Sequence, residues 1–185
     1  MHQLTNEVIS QSDKILIIGS PGSGKTFFSN QLAKSFHYDV YHWDDLYWDT
    51  GWERASEDEI ITKIKEILMK PRWILEGNYF HYVYKERLIV ADAVILVSAP
   101  PFLCFLRVII RYFKILFGND LVLPANVRND SGSRRQKTHF DFKFLKFVIC
   151  FKKNTLPYML NQMQPFADKV YIITKKTMRQ ISKIS

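Results

Sequence analysis

An α/β fold, with a parallel sheet covered by helices on both faces, is the architecture this 185-residue sequence predicts. Short apolar runs alternate with helix-period patterns along the chain. The first run, Lys14-Ile15-Leu16-Ile17-Ile18, opens into Gly19-Ser20-Pro21-Gly22-Ser23-Gly24-Lys25-Thr26, a turn of the form G-x-x-x-x-G-K-T with a helical pattern behind it. Apolar residues make up 47% of the chain, which is enough for a core at this length and argues against disorder.

The elements follow in order. Lys14–Ile18 is a first strand, and a helix from about residue 24 to 35 carries Phe27, Phe28, Leu32 and Ala33. Residues 39–42 form a short second strand ending in Trp43-Asp44-Asp45. Ser56 and Glu59 make an S-x-x-E capping box ahead of Ile60, Ile61, Ile64, Ile67 and Leu68, a helix that Pro71 closes. Residues 72–76 (RWILE) read as a third strand, residues 79–90 as a helix, and residues 92–97 (DAVILV) as a fourth strand. Pro100-Pro101 then opens a long helix to about Phe117, because proline is tolerated where a helix has no internal partner for the N–H.

Residues 118–140 are polar and longer than a loop in a compact domain usually is without a functional reason. A helical region over about 141–163 is expected to break near Asn154–Pro157. A fifth strand over 169–174 (KVYIIT) and a short basic helix complete a single domain spanning 1–185, without repeats or linkers.

Charge is divided unequally. Residues 1–100 hold 10 Lys+Arg against 14 Asp+Glu, and residues 101–185 hold 16 against 4, so the halves carry −4 and +12 of the +8 total. A basic half beside a phosphate loop suits a substrate clamp, a nucleic-acid surface or a membrane-facing surface. Residues 1–13 lack a basic start followed by an apolar core, so no signal peptide is expected. Cys104 and Cys150 lie far apart in apolar patterns, as buried thiols of a reducing cytoplasm would. The five histidines show no ligand spacing, which argues against structural zinc. Phe102–Phe117 is apolar but too short and too interrupted by Arg107, Arg111 and Lys114 to span a bilayer.

The chemistry gathers where strands end, as ligands do in open α/β sheets. Residues Gly19 to Thr26 turn successive N–H groups onto a phosphate. Lys25 supplies a point charge for the outer phosphate oxygens, and Thr26 supplies a hydroxyl for Mg²⁺. Asp44 or Asp45 after the second strand, and Glu76 at the end of the third, can hold Mg²⁺ or take the proton of an attacking hydroxyl. Glu76 is the more telling, because a charge ending an apolar strand must be solvated, paired or metal-linked.

Arg107, Arg111 and Lys114 share one face of the long helix at i, i+4 and i+7. The guanidinium fork fits phosphate oxygens, so Arg107 and Arg111 are candidates for stabilising a transferring group. Lys143, Lys146 and Lys153 cluster on a later helix as a solvated basic face. Arg134 and Arg135 in the polar loop are candidates for closing over the phosphate. Trp43, Tyr47 and Trp48 are open to two readings, core or a stacking wall for a flat acceptor.

Taken together, HWDDLYW, WILEGNY, VSAPPFLCFLRVIIRYF and FDFKFLKFVICFKKN around GSPGSGKT resemble the topology modulation proteins, small P-loop proteins similar to adenylate kinase and other small nucleoside and nucleotide kinases. The resemblance covers nearly the whole chain. It implies a P-loop NTPase fold with strand order 2-3-1-4-5, an acceptor region after the second strand with Asp44 as its aspartate, and a lid within residues 118–140. Glu76 stands where that family usually has Asp before Gly-Asn-Tyr, which lengthens the carboxylate arm by one methylene.

The function expected is an ATP-binding, Mg²⁺-dependent phosphotransferase acting on a small acceptor such as a nucleotide or nucleoside, with GTP equally compatible with the loop. The alternative is a nucleotide-gated DNA-binding regulator using the basic half, although no reading module is recognisable. A third reading is peripheral membrane association through the two basic-aromatic helices.

Overall fold

The computed structural model describes residues 3–79, 82–119, 123–129 and 141–181. Five parallel strands, β1 (Lys14–Gly19), β2 (Val40–His42), β3 (Trp73–Glu76), β4 (Ala93–Val97) and β5 (Val170–Ile173), form one sheet in the order 2-3-1-4-5. β1 lies at the centre, with Ile17 level with Glu76 of β3 and with Ile95 of β4. At the edge, His42 of β2 is in register with Glu76, which puts the two side by side where the strands end.

Side chains alternate across the sheet and build two cores. On one face Ile15, Ile17, Ile74 and Ile95 pack with Phe28 and Leu32 of α2 (Lys25–Phe36), Ile9 of α1 (Asn6–Gln11) and Met178 of the C-terminal helix Lys175–Ile181. On the other face Leu16, Leu75, Val94 and Leu96 meet Ile60 and Ile64 of the helix Glu57–Met69, Leu88 of the helix Tyr84–Val90, and Phe151 and Met159 of the helix Phe142–Met163. The expected capping box opens Glu57–Met69, with Ser56 accepting from the Glu59 N–H and the Glu59 carboxylate accepting from the Ser56 N–H.

In chain order the remaining helices are α3 (Trp43–Tyr47), α4 (Glu57–Met69), α5 (Tyr84–Val90), α6 (Pro101–Leu116), α7 (Ala125–Asn129), α8 (Phe142–Met163) and α9 (Lys175–Ile181). Five differ from the sequence reading, one being α3, a short helix directly after β2 that was not foreseen. α1 was not foreseen; Thr5 caps it and Tyr38 donates its hydroxyl to the carbonyls of Ile9 and Ser12. α5 begins at Tyr84 rather than 79, because the Asn78 side chain is drawn toward β1. α8 runs without a break through Pro157, since burial of Phe151, Met159 and Met163 on either side offsets a proline cost of roughly 3 kcal/mol. The segment expected to be all loop contains α7, whose Val127 is buried with Leu123 and Ile115 against Trp48 and Trp52. Arg134 and Arg135 lie outside the described residues.

Candidate active site

The loop between β1 and α2 carries the first half of the site. Gly22 is in the left-handed region at φ +77°, and a Cβ there would sit 2.4 Å from the Cys104 carbonyl oxygen, so only glycine lets α6 approach this closely. The Lys25 side chain is nearly buried, and its Nζ donates to the Ser20 carbonyl at 3.1 Å. The first turn of α2, with Thr26, presents its N–H groups at the same place.

Glu76 joins the loop to the neighbouring strands. Its Oε2 accepts from the Thr26 hydroxyl at 3.0 Å and lies 3.0 Å from His42 Nδ1, while Oε1 is 3.8 Å from Lys25 Nζ. Burial acts to push this carboxyl up. The His42 hydrogen bond, the Lys25 and His42 charges and the Thr26 hydroxyl outweigh it and hold Glu76 below the usual range. His42 shifts the other way: burial opposes its charge, but the bond and charge of Glu76, with Asp45 and Asp44 behind, raise it.

Asp44 faces the same cleft from the first turn of α3. Asp44 keeps contact with solvent, but the protein groups crowded round it disfavour its charge and raise it, the Glu76 charge adds to that, and Arg111, Lys25 and the Tyr79 hydroxyl pull it back. Its Oδ1 accepts from the Tyr79 hydroxyl at 3.1 Å. Asp45 points elsewhere. Its Oδ1 accepts from the Ala125 N–H at 2.6 Å, capping α7, and Asn126 donates to the Trp48 carbonyl at 3.0 Å. The two aspartates, which the residue pattern left as alternatives and the resemblance resolved toward Asp44, thus face different ways, Asp44 into the cleft and Asp45 onto α7.

One side of the cleft floor is aromatic. Trp43 is fully buried, and Tyr79 stacks on it at 5.2 Å with an interplanar angle of 15°. Tyr47 lies 4.6 Å from Tyr79. Trp43 is therefore core, Tyr47 and Tyr79 edge the cleft, and Trp48 packs with Trp52 under α7. Gly77 at φ +143° admits Trp43 beside it, since a Cβ there would fall 2.3 Å from the Trp43 Cβ.

Beneath this floor lies Arg87, fully buried, 4.3 Å from the Trp43 ring centre, donating to the carbonyls of Asn78 at 3.0 Å and Tyr79 at 2.6 Å. Burial pushes its guanidinium down to about 9. It remains the cation that fixes the Asn78-Tyr79 turn.

α6 roofs the phosphate loop. Arg107 Nη1 donates to the carbonyls of Gly22 at 3.0 Å and Ser23 at 3.1 Å, so this arginine braces the loop itself. Arg111, one turn further, is exposed and acts on the charge of Asp44. The structure thus brings together Lys25, Thr26, Asp44, Glu76 and Arg111, with Arg107 behind the loop.

Sequence reasoning missed His42, Asn78, Tyr79 and Arg87. Asn78 Oδ1 accepts from the Gly19 N–H at 2.9 Å and its Nδ2 donates to the Gly19 carbonyl at 2.8 Å, a closed pair that anchors the loop. The signal was available: Glu-Gly-Asn-Tyr directly after a strand is an unusual run of polar and turn residues in a buried place.

Among solved structures the chain is similar to a shikimate kinase from Bacteroides thetaiotaomicron, at 15% identity over 93% of this chain and 95% of that one, with a TM-score of 0.50. A shikimate kinase from Acinetobacter baumannii in complex with shikimate is 14% identical over 97% of this chain and 93% of that one, with a TM-score of 0.49. No protein-family model and no curated protein matches the chain. At these identities the likeness is one of fold, the P-loop fold of small kinases, and the resemblance to topology modulation proteins is carried by the quoted segments alone.

Proposed function

We propose that the protein is a phosphotransferase that moves the γ-phosphate of ATP to a hydroxyl or phosphate of a small acceptor, a nucleotide or nucleoside being the first to try. The observation that carries this reading is the convergence of Lys25, Thr26, Glu76 and Asp44 beyond the carboxyl ends of three adjacent strands, roofed by α6.

The donor set suits Mg²⁺. A hydroxyl and a carboxylate bonded at 3.0 Å are hard oxygen ligands, and no cluster of three His, Cys, Asp or Glu among the described residues would make a protein-only cage. Mg²⁺ is commonly held by one or two carboxylates together with substrate phosphates. Thr26 and Glu76 would hold it, and bound there it supplies neutralisation of phosphate charge.

The chain's own residues do the rest. Lys25 would turn from the Ser20 carbonyl to the outer phosphate oxygens. Asp44, with its raised carboxyl, is placed to take the proton of an acceptor hydroxyl as that oxygen bonds to the γ-phosphorus and the bond to the leaving diphosphate breaks. Arg111 contributes positive charge on the acceptor side, and Arg107 keeps the loop carbonyls turned away from the phosphates. The free thiols, Cys104 buried and Cys150 half-buried, are compatible with a cytoplasmic setting. Nothing in the fold or the comparisons favours the DNA-binding alternative.

The test is an acceptor screen with γ-labelled ATP and Mg²⁺ against pooled nucleotides, nucleosides and hydroxylated acids, shikimate included because the similar structures bear its name. Label entering one pool supports the proposal. Label found only as inorganic phosphate, or unmoved, rejects it.

A further inference from the structure

The underside of α6 is spent on the phosphate loop, and its outer face has no role in the cleft. Phe102, Leu106, Ile110, Phe113 and the capping residue Phe117 fall within about 80° of one another at 3.6 residues per turn. They are 70%, 38%, 52%, 49% and 84% exposed, whereas Cys104, Val108 and Ile115 on the opposite side are buried. A surface helix ordinarily turns polar residues outward, so five exposed large apolar side chains in one stripe need a partner phase.

The charge of α6 and of the helix packed beside it restricts what that phase is. α6 packs against α8, where Cys104 and Val108 meet Leu145 and Val148. Lys114 flanks the stripe on α6, while Lys143, Lys146 and Lys153 are exposed on α8 beside exposed Ile149. Neither Pro101–Leu116 nor Phe142–Met163 contains an acidic residue. A second copy would set one cationic face against another. A nucleic acid would match the charge but leave the phenylalanines in water. No helix among the described residues is long and apolar enough to cross a membrane, so any lipid contact of these helices lies along the surface.

We propose that the outer face of α6, with the basic edge of α8, docks the protein on an anionic lipid surface. The apolar stripe enters the acyl boundary and Lys114, Lys143, Lys146 and Lys153 meet the headgroup charge. This docking is independent of the phosphotransfer proposal, because it uses none of the residues placed in the cleft.

The test is co-sedimentation of the full chain with vesicles of phosphatidylcholine alone and of phosphatidylcholine mixed with phosphatidylglycerol. The expected result is pelleting with the anionic vesicles, weakened at least about tenfold by the double variant Ile110→Glu/Phe113→Glu and made less sensitive to salt by Lys143→Gln/Lys146→Gln. Unchanged circular dichroism and ATP binding establish that both variants are folded. No pelleting, or pelleting that Ile110→Glu/Phe113→Glu leaves intact, overturns the proposal. A dimer in sedimentation velocity that this variant dissolves, or duplex DNA binding without vesicle binding, assigns the face to another partner and overturns it equally.

Discussion

The proposed phosphate side of the cleft is built on one contiguous segment, residues 14–26, backed by Glu76 and Asn78, whereas the proposed acceptor side is assembled from Asp44 and Tyr47 on α3, Tyr79 with Arg87 beneath it, Arg111 on α6, and α7. On the first side the polar groups are paired before any ligand arrives, Lys25 with Ser20, Thr26 with Glu76, and Gly19 with Asn78. On the second, order comes from ring stacking, a buried arginine and a capped helix. The contrast follows from the ligands. A triphosphate presents the same oxygens in every case and can be met by backbone and one lysine, whereas an acceptor has to be selected, which takes side chains from distant parts of the chain.

Breaking the phosphate side should have the largest effects. Lys25→Ala is expected to lower label transfer by roughly 10³-fold or more and to weaken ATP binding, read by radiolabel and by titration calorimetry. Glu76→Gln keeps the shape but loses the charge shared by Thr26, His42 and Lys25; turnover should fall about 10²- to 10³-fold with ATP affinity changed only a few-fold. Full turnover by folded Glu76→Gln would refute the role given to that carboxylate. Asn78→Ala removes two bonds to Gly19 and should cost about 1–3 kcal/mol in denaturant unfolding, with a weaker ATP site.

On the acceptor side the effects are smaller and of a different kind. Asp45→Ala uncaps α7 and should raise the acceptor KM several-fold while leaving kcat and ATP binding near the parent, at a cost of about 1 kcal/mol. A fall in kcat with unchanged KM would instead place Asp45 in the chemistry.

The smallest effect expected is on stability against pH. Glu76 is held low, so its contribution is present above the ordinary carboxylate range and fades as pH falls through the lowered value. His42 is held high, so its contribution is complete below the ordinary imidazole value and fades as pH rises through the raised one. The pair is worth most between these limits. His42→Gln should flatten the alkaline limb of a melting-temperature profile and soften the acid limb in part, because the His42 bond and charge help hold Glu76 low while Lys25 and Thr26 remain.

The same division governs what could be read from sequence. The strands, the capping box at Ser56 and the phosphate loop were legible, because each depends on neighbours within a few residues, whereas the strand order was available only through the resemblance. Glu76 was legible because a charge at the end of a buried strand is conspicuous. His42 was not, since only the β2–β3 register puts it against Glu76. Nor was the role of Arg107 in bracing the loop, which depends on how α6 crosses above Gly22. Arg87 was not singled out, because only the packing of Trp43 over it and of two carbonyls against it makes it a buried cation. The unbroken course of α8 through Pro157 was decided by tertiary burial on both sides of the proline.

Whether the cleft has two separable sides is decided by label transfer in Asp44→Asn beside Lys25→Ala, once an acceptor pool is in hand. Asp44 is assigned only to the acceptor, so Asp44→Asn should bind ATP as the parent does and lose transfer by about 10²-fold or more, while Lys25→Ala loses both. Parent-like transfer by Asp44→Asn, or loss of ATP binding together with transfer, would contradict the division of the cleft into a phosphate side and an acceptor side.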